Sequence, residues 1–103
     1  MKRKMEIRTE NQYSVGKWAY ETFGETTALR SAVRANNEMS ELLTKLSIDD
    51  TLKASEEIAD IIICLFRLSC ILGVDIDSAI DAKMCINRSR EWELDGYGNG
   101  QHK

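Results

Sequence analysis

Apolar residues recur at helical spacing in four stretches, each bounded by glycine or by a hydroxyl or acidic residue suited to capping. Tyr13, Val15, Trp18, Ala19, Tyr20 and Phe23 predict a short helix over 12–23 despite Gly16, stopped at Gly24. Leu29, Ala32, Val33, Met39, Leu42, Leu43 and Leu46 predict a second, capped by Thr26 or Thr27 and running to about Leu46. After a short turn from Ser47, Asp49 or Asp50 offers the cap for a third helix, about Thr51 to Leu72. So short a link favours antiparallel neighbours. The third pattern changes halfway. It is amphipathic before Asp60, but from Ile61 to Leu68 apolar residues cover nearly the whole circumference. Gly73 supplies a stop, Asp75 a cap, and a fourth helix is predicted from Ile76 to about Trp92, burying Ile76, Ala79, Ile80 and Met84. Residues 1–10 and 95–103 carry no such pattern and are expected to be flexible, although the glycine-spaced ending is also able to fold over a ligand.

The expectation is an all-α fold, a four-helix bundle spanning 1–103 as a single domain. Composition agrees, with 43% hydrophobic and 30% charged residues and no proline to break a helix. A chain of 103 residues has too few other helices to cover every side of the third one. Completion by homo-oligomerisation follows, as a homodimer or a homotetramer built as a dimer of dimers. The net charge of -3 argues against a nucleic acid polymer as partner and leaves room for a small phosphorylated ligand held through a metal. No signal peptide is visible, and the run from Ile58 to Leu72 is too short and too polar to span a membrane. Cys64, Cys70 and Cys85 form no CxxC pair and are odd in number, which suits reduced thiols and a cytoplasmic location.

Chemistry concentrates between residues 38 and 60. Glu38 with Glu41, and Glu57 with Asp60, are pairs at i,i+3, which on a helix share one face. One reading makes them solvated faces of amphipathic helices. The other brings both pairs together across antiparallel helices, where four carboxylates repel one another unless a hard cation such as Mg2+ neutralises them. Lys83, Asn87 and Arg90 fall at i, i+4 and i+7; facing solvent the stripe is ordinary, and facing such a patch it is a set of phosphate donors. Arg34 stands four residues before Glu38, the spacing of a surface ion pair. Trp18 is either a core anchor or a wall on which a base stacks.

Taken in order, Trp18 with Phe23-Gly24, Glu38-Met-Ser-Glu41, Glu57-Ile-Ala-Asp60, and Lys83-Met84 with Asn87, Arg90 and Trp92 resemble the MazG-like, all-α NTP pyrophosphatase superfamily. The ending Asp95-Gly96 through Gln101-His102 is similar to tails of short, single-domain members. The resemblance implies an enzyme that cleaves nucleoside triphosphates between the α and β phosphates with Mg2+, Mn2+ being a substitute, in nucleotide-pool house-cleaning. It implies metal ligands at Glu38, Glu41, Glu57 and Asp60, phosphate contacts at Lys83, Asn87 and Arg90, and water orientation by Glu38 or Glu41. Asn37 departs from the pattern, which commonly has a further glutamate there. Two other readings are a phosphoribosyl-ATP pyrophosphohydrolase-like enzyme and a non-catalytic nucleotide-binding or oligomeric helical module. A di-iron bundle is disfavoured, since its ExxH pairs are absent.

Overall fold

The computed structural model describes residues 9–103, so most of the 1–10 segment expected to be flexible lies outside the described residues. Four helices follow one another: α1 (Gln12–Phe23), α2 (Ala28–Ser47), α3 (Thr51–Leu72) and α4 (Ile76–Ser89). Each of the first three begins where a short polar side chain satisfies free backbone N–H groups. Asn11 accepts from the N–H groups of Tyr13 and Ser14, while the Ser14 hydroxyl accepts from the Asn11 N–H, closing a capping box. Thr27 caps α2 through the Arg30 N–H, and Asp50 caps α3 through the Lys53 N–H. Asp49 takes the left-handed conformation that reverses the chain between α2 and α3, with φ 54°. The turn is short, and α2 packs along α3 as its principal neighbour, with α1 laid across α3.

The interior is thin. Leu42, Ala54 and Ile61 form the apolar cluster between α2 and α3, with Val15, Ala19 and Ala35 buried nearby. Small residues set the spacing of α1 against α3. Gly16 is buried, and a Cβ there would overlap the Cys70 Sγ, so only glycine permits this approach. Gln12, also buried, ties α1 to the α3–α4 turn: its amide donates to the Val74 carbonyl at 2.5 Å and its oxygen accepts from the Ile76 N–H at 2.7 Å. Gln12 thereby does the capping expected of Asp75, whose carboxylate instead receives the Ser78 and Tyr13 hydroxyls.

The C-terminal third departs from expectation twice. The fourth helix stops at Ser89 instead of Trp92, and no residue of α4 is buried, whereas Ile76, Ala79, Ile80 and Met84 were expected inside. The cause is that α4 makes only marginal contact with the preceding helices of its own chain. The ending, expected to be flexible, is a β-hairpin: β1 (Trp92–Leu94) pairs antiparallel with β2 (Gly100–His102), Trp92 opposite His102. Asp95 nucleates its turn by accepting from the N–H groups of Tyr97 and Asn99, and Gly96 and Gly98 supply the positive φ values. The Trp92 indole donates to the Asn87 carbonyl, which ends the helix by drawing the chain back.

The chain therefore leaves much apolar surface uncovered. It exposes 8699 Å², where a compact monomer of its mass would expose about 5,900 Å². Its radius of gyration is 16.5 Å, against about 13 Å for a compact domain of this length. Among the described residues no helix is long and apolar enough to cross a membrane.

Candidate active site

Three of the four carboxylates expected to converge do so. On α2 and α3, Glu38, Glu41 and Glu57 each place one oxygen within 4.8 Å of the others. Asp60 is not part of that trio: it lines the cleft beside it, one turn further along α3, near enough for its charge to act on Glu57. Antiparallel packing across a short turn is what brings positions 38 and 41 level with 57.

Electrostatics mark this as a strained place for anions. The adjoining Glu38 carboxyl, partial burial, and the charges of Glu41, Glu38 and Asp60 together push the Glu57 carboxyl above the ordinary glutamate value. Glu57 Oε2 is fully buried and has no hydrogen-bond partner. An acceptor in that state lacks a positive charge, and the donor set around it, three carboxylates with no competing thiol or imidazole, suits a hard divalent cation. Partial compensation comes from Arg34, whose Nε lies 3.1 Å from Glu38 Oε1.

Beside the carboxylates a cleft of about 620 Å³ opens between α1, α2 and α3, a size that suits a small organic ligand. Trp18 and Phe23 form its aromatic wall, with ring centroids 5.5 Å apart and planes at 85°. Arg67 holds Phe23 in place, its guanidinium 5.9 Å above the ring while it donates to the Gly24 carbonyl. Val33, Ile63 and Cys64 supply the apolar floor, and Arg30, Arg34, Asn37, Glu38 and Asp60 the polar groups. Burial pushes the Cys64 thiol up, which keeps it neutral and unsuited to nucleophilic attack.

Of the residues singled out from sequence, Trp18, Glu38 and Asp60 line the cleft, with Glu41 and Glu57 adjoining it through Glu38. Lys83, Asn87 and Arg90 do not reach it. Lys83 and Asn87 lie on α4, and Arg90 is past the helix end in extended conformation, so the stripe expected of a helix running to Trp92 is broken at its last member. Asn87 Oδ1 is buried without a hydrogen-bond partner. The cations that do face the cleft, Arg30, Arg34 and Arg67, were missed as site residues except for the Arg34–Glu38 pairing. Arg30 and Arg34 stand four apart, with Asn37 and Glu38 one turn beyond Arg34, and that spacing was the available signal.

No family model matches the sequence. Among characterised proteins, the chain is 32% identical over 91 residues to a dATP/dGTP diphosphohydrolase of Salmonella phage PMBT28, covering 88% of this chain but only 30% of that relative. It is 30% identical over 93 residues to a dATP/dGTP diphosphohydrolase of Cyanophage S-2L, covering 90% of this chain and 85% of the relative. Among solved structures it resembles the Cyanophage S-2L MazG-like pyrophosphohydrolase bound to dGDP and three catalytic Mn2+ ions per active site, with a TM-score of 0.73, 30% identity, and coverage of 89% and 92% of the two chains. The fold, the converging glutamates and the near-full-length match to the cyanophage enzyme lead to one conclusion: the chain belongs to the MazG-like, all-α NTP pyrophosphatase superfamily and is a nucleotide pyrophosphohydrolase domain.

Proposed function

We propose that this domain hydrolyses deoxynucleoside triphosphates between the α and β phosphates, releasing a monophosphate and pyrophosphate, with purine deoxynucleotides as its substrates. The observation that carries the reading is the trio Glu38, Glu41 and Glu57, with its buried unpartnered oxygen, opening onto a cleft of nucleoside size. The purine preference is drawn from the substrates named for both phage relatives.

Glu38, Glu41 and Glu57 hold divalent cation, with Asp60 as a fourth ligand. Bound there, Mg2+ or Mn2+ supplies Lewis acidity toward the phosphoryl oxygens. Glu38 or Glu41 orients the attacking water or takes its proton. Trp18 stacks on the base, and the apolar floor excludes water from it. Lys83, Asn87 and Arg90 bind phosphate from a neighbouring copy. A homodimer or homotetramer accounts for the uncovered surface: Ile58, Ile62 and Leu65 form an exposed stripe at helical spacing on α3, and Ile80, Met84 and Ile86 are exposed on α4. The role in the cell is removal of selected nucleotides from the pool.

A panel of ribo- and deoxynucleoside triphosphates with Mg2+ or Mn2+, read for monophosphate, tests the reading. Turnover of dATP and dGTP that stops with EDTA is expected; no turnover of any triphosphate with either ion would overturn it. Light scattering on the eluting protein tests the assembly, and a stable monomer would exclude it.

A further inference from the structure

The α2 side of the cleft carries a polar row. Arg30, Arg34 and Asn37 follow one another at i, i+4 and i+7 on α2, and all three line it, facing the aromatic wall of Trp18 and Phe23. Arg34 engages Glu38, but the Asn37 amide takes part in no hydrogen bond among the described residues. Asn37 directly precedes Glu38, and the roughly 100° step between successive helical side chains aims the two at different parts of the same cleft. Asn37 therefore offers an unpaired amide to a base lodged in the cleft against Trp18 and Phe23.

We propose that Asn37 reads the edge of a purine base and is the residue that lets one pocket accept both adenine and guanine; this rests on the nucleotide pyrophosphohydrolase reading above. A carboxamide carries an acceptor and a two-proton donor side by side. Against adenine, Oδ1 accepts from N6 and Nδ2 donates to N7. Turned by half a rotation, the same amide donates to guanine O6 and accepts from N1–H. Neither a carboxylate nor a guanidinium has this two-way complementarity, because the first only accepts and the second only donates. A pyrimidine, one ring narrower, falls short of the amide when its phosphates occupy the same place.

The test is kcat/KM for dATP, dGTP and dTTP on wild type, Asn37→Leu and Asn37→Asp, with calorimetric titration of dAMP and dGMP in Mg2+. Asn37→Leu should lower the purine-to-thymine ratio of kcat/KM about tenfold. Asn37→Asp should raise the dGTP-to-dATP ratio about fivefold or more, since guanine offers two donors, N1–H and N2–H, and adenine only one. Wild-type turnover with both ratios unmoved by the substitutions overturns the role of Asn37 and leaves the activity standing. Purine monophosphate binding that weakens in Asn37→Leu, without turnover by the wild type, does the reverse. Neither binding nor turnover sinks both.

Discussion

The helices α1–α3 and the arm formed by α4 with its hairpin are built from similar local signals yet end differently. In the first region three side-chain caps close the helix starts, and Leu42, Ala54 and Ile61 join two of the helices. In the second, Asp75 contributes no capping bond to the backbone, no residue of α4 is buried as a whole, and both hairpin strands are exposed throughout. Helix formation is decided locally by periodicity and end residues, but burial needs an opposing surface of matching extent. The first region finds that surface within the chain. The arm does not, although its exposed Ile80 and Met84, four residues apart, share one apolar face of α4. The carboxylate trio belongs to the first region and the lysine, asparagine and arginine of the phosphate stripe to the second, so catalysis as proposed here requires both.

The largest expected effect lies in the first region. Glu41→Ala should reduce pyrophosphate release about a hundredfold or more, since several kcal/mol of charge stabilisation depend on the ion held there. Glu41 is exposed, so circular dichroism should show the helices intact. Asp60→Ala should cost less, because Asp60 lies outside the trio of close oxygens. Equal turnover in Glu41→Ala and wild type would detach the chemistry from the α2–α3 pair.

The arm is tested next. With Ile80→Asp and Met84→Asp combined, the oligomer should dissociate to monomer by light scattering, and activity should fall about tenfold as the phosphate-binding side chains lose their route to a cleft. If α4 is merely a solvated helix, the same pair should change neither assembly nor, beyond about 0.5 kcal/mol each, stability.

Much of the first region was legible from sequence because its determinants are local. Periodicity and caps place α1 and α3 at their observed bounds, and i,i+3 spacing with a short turn foresees that Glu38 and Glu41 meet Glu57. What escaped was long-range. Gln12 looks like an ordinary polar residue at a helix start, yet it satisfies groups more than sixty positions away at Val74 and Ile76. Gly16 reads as a weak point in a helix, whereas its missing side chain is what admits Cys70. The end of α4 escaped for a different reason. Residues 90–92 keep a helical pattern, but pairing of Trp92–Leu94 with Gly100–His102 competes for the same backbone and prevails. The arginines of the cleft were overlooked because a cation on an amphipathic helix carries no sign of which neighbour it faces.

The joint between the regions gives a smaller effect. Gln12→Ala removes two hydrogen bonds and leaves the Ile76 N–H and Val74 carbonyl without them, at a cost of about 1–3 kcal/mol in urea unfolding. Gly16→Ala should cost a similar ~1–3 kcal/mol by forcing α1 off Cys70. Gln12→Ala should also loosen the arm, measured as faster amide exchange in the first turn of α4 than in α2. Exchange unchanged in α4 would mean that the arm is held by something other than this side chain.

The smallest effect separates repulsion from binding at Glu57. Its carboxyl is raised in the folded chain, chiefly by Glu38, so the native state holds that proton to higher pH than the unfolded state does. Between the ordinary glutamate value and the raised one the folded state binds more protons, and stability must fall as pH rises through that window. Glu57→Gln cannot lose the proton. In EDTA, thermal unfolding from about pH 4.5 to 8 should therefore show wild type declining relative to Glu57→Gln, which should be the more stable of the two at neutral pH. Adding Mg2+ should reverse that order, because the ion stabilises the ionised wild-type cluster by mass action and finds one charge fewer in the variant. Parallel pH profiles with and without Mg2+ would mean that the carboxylates neither repel one another nor share an ion. The exposed arm should show no such reversal: substituting Lys83, which lies outside the acidic trio, should leave the pH profile in EDTA unchanged.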